Sequence, residues 1–327
     1  MALFSVDNVR IAGISAAIPK NEVRNESSKI FKEDEAAQFI STTGIDARRI
    51  SGKKLSASDL CTASAAQLLD ELNWSTQDID ILIFVSQTPD QTIPGTATAI
   101  QHKLGLPKTC MSLDINQGCS GYVYGLSVLA SLLSGQLKKG LLLVGDTITD
   151  LLDPADKSVV PVFSDAGTAT AMEYSDEKST MYFNLQSDGS GKSAIEQLPG
   201  EFMKMKGLEV FNFGLREVAP NIKALSLFSK TPIESIDYLL LHQANLLLNE
   251  SIRKKLAIPK DKTLYSLNKY GNTSNASIAL TFADSFNSLK SAMNEGTFCL
   301  SGFGVGLLWG SCIVKISHIV CPEIIEL

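Results

Sequence analysis

Met111-Ser112-Leu113-Asp114-Ile115-Asn116-Gln117-Gly118-Cys119-Ser120-Gly121-Tyr122 is the stretch on which the reading of the fold turns. Met111 to Ile115 reads as a buried strand, and Val123 to Ala130 has the apolar spacing of a helix packed deep in a core. Cys119 falls at the turn between them, where free backbone N–H groups and the positive end of the helix dipole are expected to stabilise a thiolate. Gly118 and Gly121 leave room for a substrate carbonyl to approach the backbone. A small cysteine packed inside a helix has the same local pattern, so the rest of the chain has to decide.

Outward from that turn, strands and helices alternate. Val9 to Ala17 reads as a first strand ending at Pro19, Asn25 to Thr43 as a polar, helical stretch, and Ser56 to Leu72 as an amphipathic helix. Ile79 to Val85 and Gly140 to Val144 are continuous apolar runs, the pattern of strands buried on both faces. Thr96 to Leu104 reads as a helix, and Val159 to Tyr174 as two short strands across Asp165-Ala166-Gly167. This alternation predicts an α/β fold with a mostly parallel sheet.

The second half of the chain echoes the first. Trp74-Ser75-Thr76-Gln77-Asp78-Ile79-Asp80-Ile81-Leu82 returns as Lys230-Thr231-Pro232-Ile233-Glu234-Ser235-Ile236-Asp237-Tyr238-Leu239-Leu240. Ser112-Leu113 followed by Gly118-Cys119-Ser120 returns as Ser266-Leu267 followed by Gly271-Asn272-Thr273. The offsets, 157 from Asp80 to Asp237 and 153 from Cys119 to Asn272, nearly agree. A duplicated unit is expected, with halves at residues 1–174 and 175–327 related by a pseudo-twofold. Equivalent strand ends would then converge on one cleft, with the Cys119 turn facing the Asn272 turn. His242 closes the apolar run Tyr238 to Leu241, at a strand's C-terminal edge, where α/β folds build sites.

Composition narrows the function classes. The 327 residues are 44% apolar and 20% charged, ordinary for a globular protein, and the net charge of −6 argues against a general nucleic-acid binder. No apolar run approaches the roughly 20 residues that span a bilayer. The start of the chain, Met1 to Asp7, lacks the regions of a signal peptide, so no membrane contact and a cytoplasmic location are expected. Six cysteines without CxxC spacing argue against a zinc site or a disulfide scaffold.

Of the three histidines, His102 lies beside Lys103 on an expected surface helix and His318 in the C-terminal tail. His242 could be a satisfied core group, and Asn272 a helix cap. Together with Cys119, at equivalent ends of a duplicated unit, they make a nucleophile and two hydrogen-bonding partners. Ser301-Gly302-Phe303-Gly304-Val305-Gly306 adds a glycine-rich turn whose amides could receive an oxyanion.

These segments resemble the β-ketoacyl-acyl carrier protein synthase III group of the thiolase-like superfamily. The resemblance rests on Gly118-Cys119-Ser120-Gly121, His242-Gln243-Ala244-Asn245, Tyr270-Gly271-Asn272-Thr273-Ser274 and Gly302-Phe303-Gly304-Val305-Gly306, and runs from about residue 9 to 316. It implies a five-layered αβαβα fold, a homodimer and a Cys119-His242-Asn272 triad. The backbone amides of Cys119 and Val305 would hold the oxyanion. Acyl transfer to Cys119 would precede decarboxylative condensation with malonyl-acyl carrier protein, with no metal or redox cofactor. Phe303 and Gly304 would line the acyl pocket, and Ile93 would close it across the dimer.

The chain departs from the family pattern at several points. Gln38 and Thr42 stand where a Trp and an Arg usually clamp the adenine of coenzyme A, Leu247 and Lys157 replace arginines, and Val305 replaces a glycine. An acyl donor on carrier protein is therefore expected rather than acetyl-coenzyme A, with other acyl-coenzyme A species as the alternative. Arg253, Lys254 and Lys255 could receive an acidic carrier protein, or could be a solvated basic face. Acyl transfer to an alcohol or amine, a non-catalytic partner subunit and a papain-like hydrolase are the competing readings. The intact triad disfavours the dead subunit, and the mid-chain position of Cys119 disfavours the hydrolase.

Overall fold

The computed structural model describes residues 2–32, 34–52, 54–289 and 293–327. In chain order the first strands are β1 (Ala2–Asp7), β2 (Val9–Ile18) and β3 (Glu22–Arg24). Helix α1 (Glu35–Thr43), β4 (Ala47–Arg49), α2 (Ala57–Glu71), β5 (Ile81–Val85), α3 (Thr96–Lys103) and β6 (Met111–Ile115) follow. Then come α4 (Gly121–Leu132), β7 (Lys139–Asp146), β8 (Ala166–Tyr174), β9 (Thr180–Ser187), β10 (Ile195–Glu196) and β11 (Lys204–Met205). The rest is α5 (Gly207–Ser229), β12 (Tyr238–Leu241), α6 (Leu246–Leu256), α7 (Leu267–Tyr270), α8 (Ser277–Leu289), β13 (Glu295–Gly304), β14 (Leu308–Ser317) and β15 (Ile325–Glu326).

Two mixed sheets dominate, ordered β15-β2-β8-β7-β5-β6 and β1-β9-β14-β13-β12. Leaving aside the terminal strands, they share one plan. The run β2, β8, β7, β5 matches β9, β14, β13, β12, antiparallel for two pairings and then parallel. β6 lies parallel beyond β5, and Thr263 bridges in parallel to Leu239 at the same place in the second sheet. The echoed aspartates also do the same work. Asp80 Oδ2 accepts the N–H of Lys138 at 2.6 Å and of Lys139 at 3.1 Å, and Asp237 Oδ2 accepts that of Thr297 at 2.8 Å. Each carboxylate ties its own strand to the start of the parallel neighbour.

Helices α4 and α8 lie between the sheets and share one core with both. Tyr122, Leu126, Leu129 and Phe282 pack with Ile83 and Val85 of the first sheet and Phe298 and Leu300 of the second. A helix apolar all round belongs in such a place. Leu126 and Leu129 are fully buried, each contributing roughly 1.5–3 kcal/mol. Helices α2 and α3 cover the outer face of the first sheet, and α5 and α6 that of the second. Ser56 and Asp59 form a capping box that starts α2.

Four expectations need correction. The sheets are mixed rather than mostly parallel: β2, β8 and β7 pair antiparallel in one, and β1, β9, β14 and β13 in the other. Among the described residues, Met111–Ile115 pairs with β5 alone and so forms an edge strand, its residues half-buried or exposed rather than buried. Among the described residues of the Asn25–Thr43 stretch, Glu35–Thr43 alone are helical. Asn25 instead donates to the carbonyls of Ile45 and Pro161 and accepts from Arg48 Nε, so its side chain braces a loop. Of the two strands read in Val159–Tyr174, only the second forms. Val159 to Phe163 is a turn closed on the Val159 carbonyl, bridged to Asn272 through Phe163.

Candidate active site

Cys119 sits between the C-terminal end of β6 and the start of α4, His242 directly after β12, and Asn272 in the turn that leads to α8. All three are nearly buried and line one cavity of about 290 Å³. Phe303 and Gly304 line the same cavity. Ile93 does not: the residue is 85% exposed on its own chain. Pocket residues that the sequence did not single out include Phe39 of α1, Val162, Phe211 and Leu248. They are common apolar types, and only the folding of distant segments onto one wall distinguishes them.

The β13–β14 hairpin presses on the cysteine turn. A Cβ on Gly304 would meet Cys119 Cβ at 2.8 Å and Sγ at 3.0 Å, and one on Gly302 would meet Ser120 Cα at 2.7 Å. Gly304 also has φ of +156°, which side chains rarely adopt. Gly304→Ala is expected to cost about 1–3 kcal/mol, read as a lower denaturant midpoint, and to slow alkylation of Cys119. Unchanged stability and alkylation would show that the hairpin yields freely.

Burial pushes the Cys119 thiol up to about 11 and the Asp146 carboxylate adds to the rise. Hydrogen bonding from the N–H groups of Val305 and Cys119 draws it part of the way back. This corrects the expected resting thiolate: burial and the neighbouring Asp146 outweigh the amides at the start of α4. Asp146 ends β7, is fully buried, and burial raises its own pKa. Its donors are uncharged and come from both sheets' loops: Ser86 Oγ at 3.1 Å, Gln87 N–H at 2.7 Å and Asn275 Nδ2 at 2.9 Å. A charged residue closing an apolar strand was a signal in the sequence that could have found it. Asp146→Asn is expected to lower the pH at which Cys119 is half-alkylated by iodoacetamide. An unmoved midpoint would mean that the charge does not reach the sulfur.

His242 is held neutral, because burial lowers its pKa to about 3 against the opposing pull of the Ser274 backbone carbonyl. Its Nδ1 lies 2.7 Å from Ser277 Oγ, and the Phe303 ring packs edge-on against it at 5.5 Å. The residues after it are structural. Gln243 Nε2 donates to the Leu241 carbonyl while its Oε1 accepts the Ser266 N–H, and Asn245 caps α6 through the Leu248 N–H. Asn272 is pinned by backbone bonds to Val162 and Ser164, and its Oδ1 accepts the Ser274 N–H at 2.9 Å. That bond leaves Nδ2 as the group free to donate.

At the rim, Gln38 and Thr42 are exposed on α1, and Leu247 is 51% exposed. Lys157 is paired with Glu35 at 3.0 Å. On α6, Arg253 is bound to Glu250 and to the Ile258 carbonyl, and Lys255 donates to the Leu215 carbonyl. Lys254 is exposed and has no partner among the described residues.

A neutral thiol, a neutral imidazole and a carboxamide around one half-apolar cavity suit thioester chemistry, and the comparisons agree. Residues 113–189 match the family model 3-oxoacyl-[acyl-carrier-protein] synthase III, and residues 228–316 match the model of that enzyme's C-terminal part. Among curated proteins, the chain is 34% identical to a β-ketoacyl-[acyl-carrier-protein] synthase III of Streptococcus agalactiae over 321 residues, 94% of this chain and 99% of that one. A Clostridium perfringens protein of the same name is 33% identical over 327 residues, with the same shares of the two chains covered. Among solved structures, a 3-oxoacyl-(acyl-carrier protein) synthase of Burkholderia xenovorans superposes with a TM-score of 0.95 at 33% identity, covering 99% of both chains. One from Pseudomonas aeruginosa gives 0.89 at 27% identity, covering 96% of this chain and 99% of that one. The chain therefore has the thiolase-like fold and belongs to the 3-oxoacyl-[acyl-carrier-protein] synthase III family of acyltransferases, condensing enzymes of fatty-acid biosynthesis.

Proposed function

We propose that Cys119 takes an acyl group from a thioester and that His242 and Asn272 then drive decarboxylative condensation with malonyl-acyl carrier protein. The observation that carries this reading is the shared cavity, in which two neutral hydrogen-bonding groups face a buried thiol. In the first step the Cys119 sulfur bonds to the acyl carbon, the carrier's thiol leaves, and the thiol proton passes from one sulfur to the other. The N–H groups of Val305 and Cys119 receive the oxyanion. In the second step the malonyl carboxylate leaves as carbon dioxide, and its electron pair moves into an enolate whose oxygen is held by His242 and Asn272. The enolate carbon attacks the acyl carbonyl, the 3-oxoacyl thioester is released, and Cys119 recovers a proton from solvent.

The donor is carried by protein rather than coenzyme A. Lys157, which stands where the family has an arginine, is neutralised by Glu35, and no ring or guanidinium stands at Gln38 or Thr42. An acidic carrier would meet Lys254 on α6, with Arg253 and Lys255 committed to partners within the chain. The enzyme works as a homodimer in the cytoplasm. The open edge of β6, with Met111, Leu113 and Ile115 half-buried, would pair with a second copy, bringing the partner's copy of the exposed Ile93 to the acyl pocket. The chain itself is a duplicated unit, 1–174 and 175–327, supported by the common strand plan and by the equivalent roles of Asp80 and Asp237.

The test is intact mass after incubation with a panel of acyl-carrier proteins and acyl-coenzyme A species, followed by malonyl-carrier protein and measurement of carbon dioxide. An adduct on Cys119 and carbon dioxide release are expected, with carrier-bound donors reacting faster. An adduct without carbon dioxide would point instead to acyl transfer onto an alcohol or amine, and no adduct from any donor would sink the reading.

A further inference from the structure

We propose that Ser277 is a positioning residue that decides which nitrogen of His242 carries the proton. Ser277 opens α8, and its Oγ lies 2.7 Å from His242 Nδ1, with both residues buried. A serine hydroxyl has one hydrogen and two lone pairs. The Gln243 N–H donates to the same oxygen at 3.3 Å and occupies one of those lone pairs. Among the described residues, Nδ1 is the partner that remains for the hydroxyl hydrogen. The reverse arrangement, Nδ1–H donating to Ser277, would leave a buried hydroxyl hydrogen without an acceptor, which folded proteins avoid.

The consequence reaches the cavity. A neutral imidazole holds one proton, so a lone pair kept at Nδ1 puts that proton on Nε2. The ring's other nitrogen is then a donor and cannot accept a proton from Cys119. Asn272 is oriented in the same sense by a neighbour on the same segment, since the Ser274 N–H occupies Oδ1 and leaves Nδ2 to donate. Residues 274 and 277 thus set both groups as donors. Two donors suit an oxygen that is gaining negative charge. This assignment rests on the condensing reading for its effect on rate, but not for the tautomer itself.

Three histidines make the measurement tractable. In protein carrying ¹⁵N-labelled histidine, the His242 ring signals should show a protonated Nε2 and a lone pair at Nδ1 at neutral pH. Ser277→Ala should introduce the other tautomer and slow malonyl decarboxylation by about tenfold, short of the roughly 10²–10³ lost with a whole donor. Mass-detected acylation of Cys119 should keep its wild-type rate, and the unshifted signals of His102 and His318 would report an intact fold. A wild-type Nδ1–H tautomer, an unchanged tautomer in Ser277→Ala, or acylation and decarboxylation falling together would each overturn the proposal. If the wild-type protein accepts no acyl donor, the condensing reading fails while the tautomer measurement still decides the role of Ser277.

Discussion

Cys119→Ala is expected to abolish the acyl adduct and to lower 3-oxoacyl synthesis by roughly 10⁴–10⁶-fold, the scale on which covalent enzymes lose rate without their nucleophile. The substitution removes one sulfur from a turn where Gly302 and Gly304 pack against the backbone, so the hairpin has no reason to move. His242 and Asn272 keep their bonds to Ser277 and Ser274, which do not involve Cys119. Decarboxylation of malonyl-carrier protein should therefore persist, without an acyl group to attack, and release carbon dioxide uncoupled from synthesis. Intact mass and carbon dioxide release read the two outcomes separately. An adduct of undiminished yield in Cys119→Ala would assign the nucleophile elsewhere. The other cysteines with raised pKa values, such as Cys61 and Cys299, are buried away from the cavity lining.

His242→Ala should have the opposite profile: the adduct still forms, and decarboxylation falls by about 10²–10³-fold, the loss seen when one oxyanion donor is removed. The acid side of the pH dependence follows from the lowered pKa of His242, about 3 against an ordinary 6.5. The ring stays neutral throughout roughly pH 5–8, so decarboxylation should show no inflection where histidines usually titrate. Stability behaves differently. A group with a lowered folded pKa contributes fully above its unfolded value, and that contribution is lost as pH falls from about 6.5 towards 3. His242→Ala should flatten that part of the stability profile in denaturant titrations. An adduct yield that falls in step with decarboxylation would instead make His242 the base for Cys119 and reverse the division of labour.

Much of the molecule was legible in the chain. Apolar runs at Ile81–Val85 and Gly140–Val144 read as strands covered on both faces because they are. The Asp80 and Asp237 echo read as a repeat because each carboxylate holds the start of a neighbouring parallel strand. Errors fell where a side chain does a job that pattern does not show. Asn25 braces a loop instead of extending α1, and Val159–Phe163 folds into a turn that pins Asn272. Met111–Ile115 is apolar like an interior strand yet forms an open edge, since apolar periodicity does not say how many neighbours a strand has.

Residue types and their spacing were enough to point to an α/β fold and to single out Cys119, His242 and Asn272, which the fold brings to one cavity, because strand-to-helix turns and short polar motifs are local in sequence. The protonation of those groups was not. A helix start favours a thiolate, but whether a thiol ionises depends on the water and charge around it. Here burial and Asp146, brought up from another strand, leave Cys119 a thiol near 11. The same burial keeps His242 neutral, and Ser277, 35 positions away, reaches its Nδ1. Electrostatics and desolvation sum over every neighbour in space, so only the folded chain could decide them.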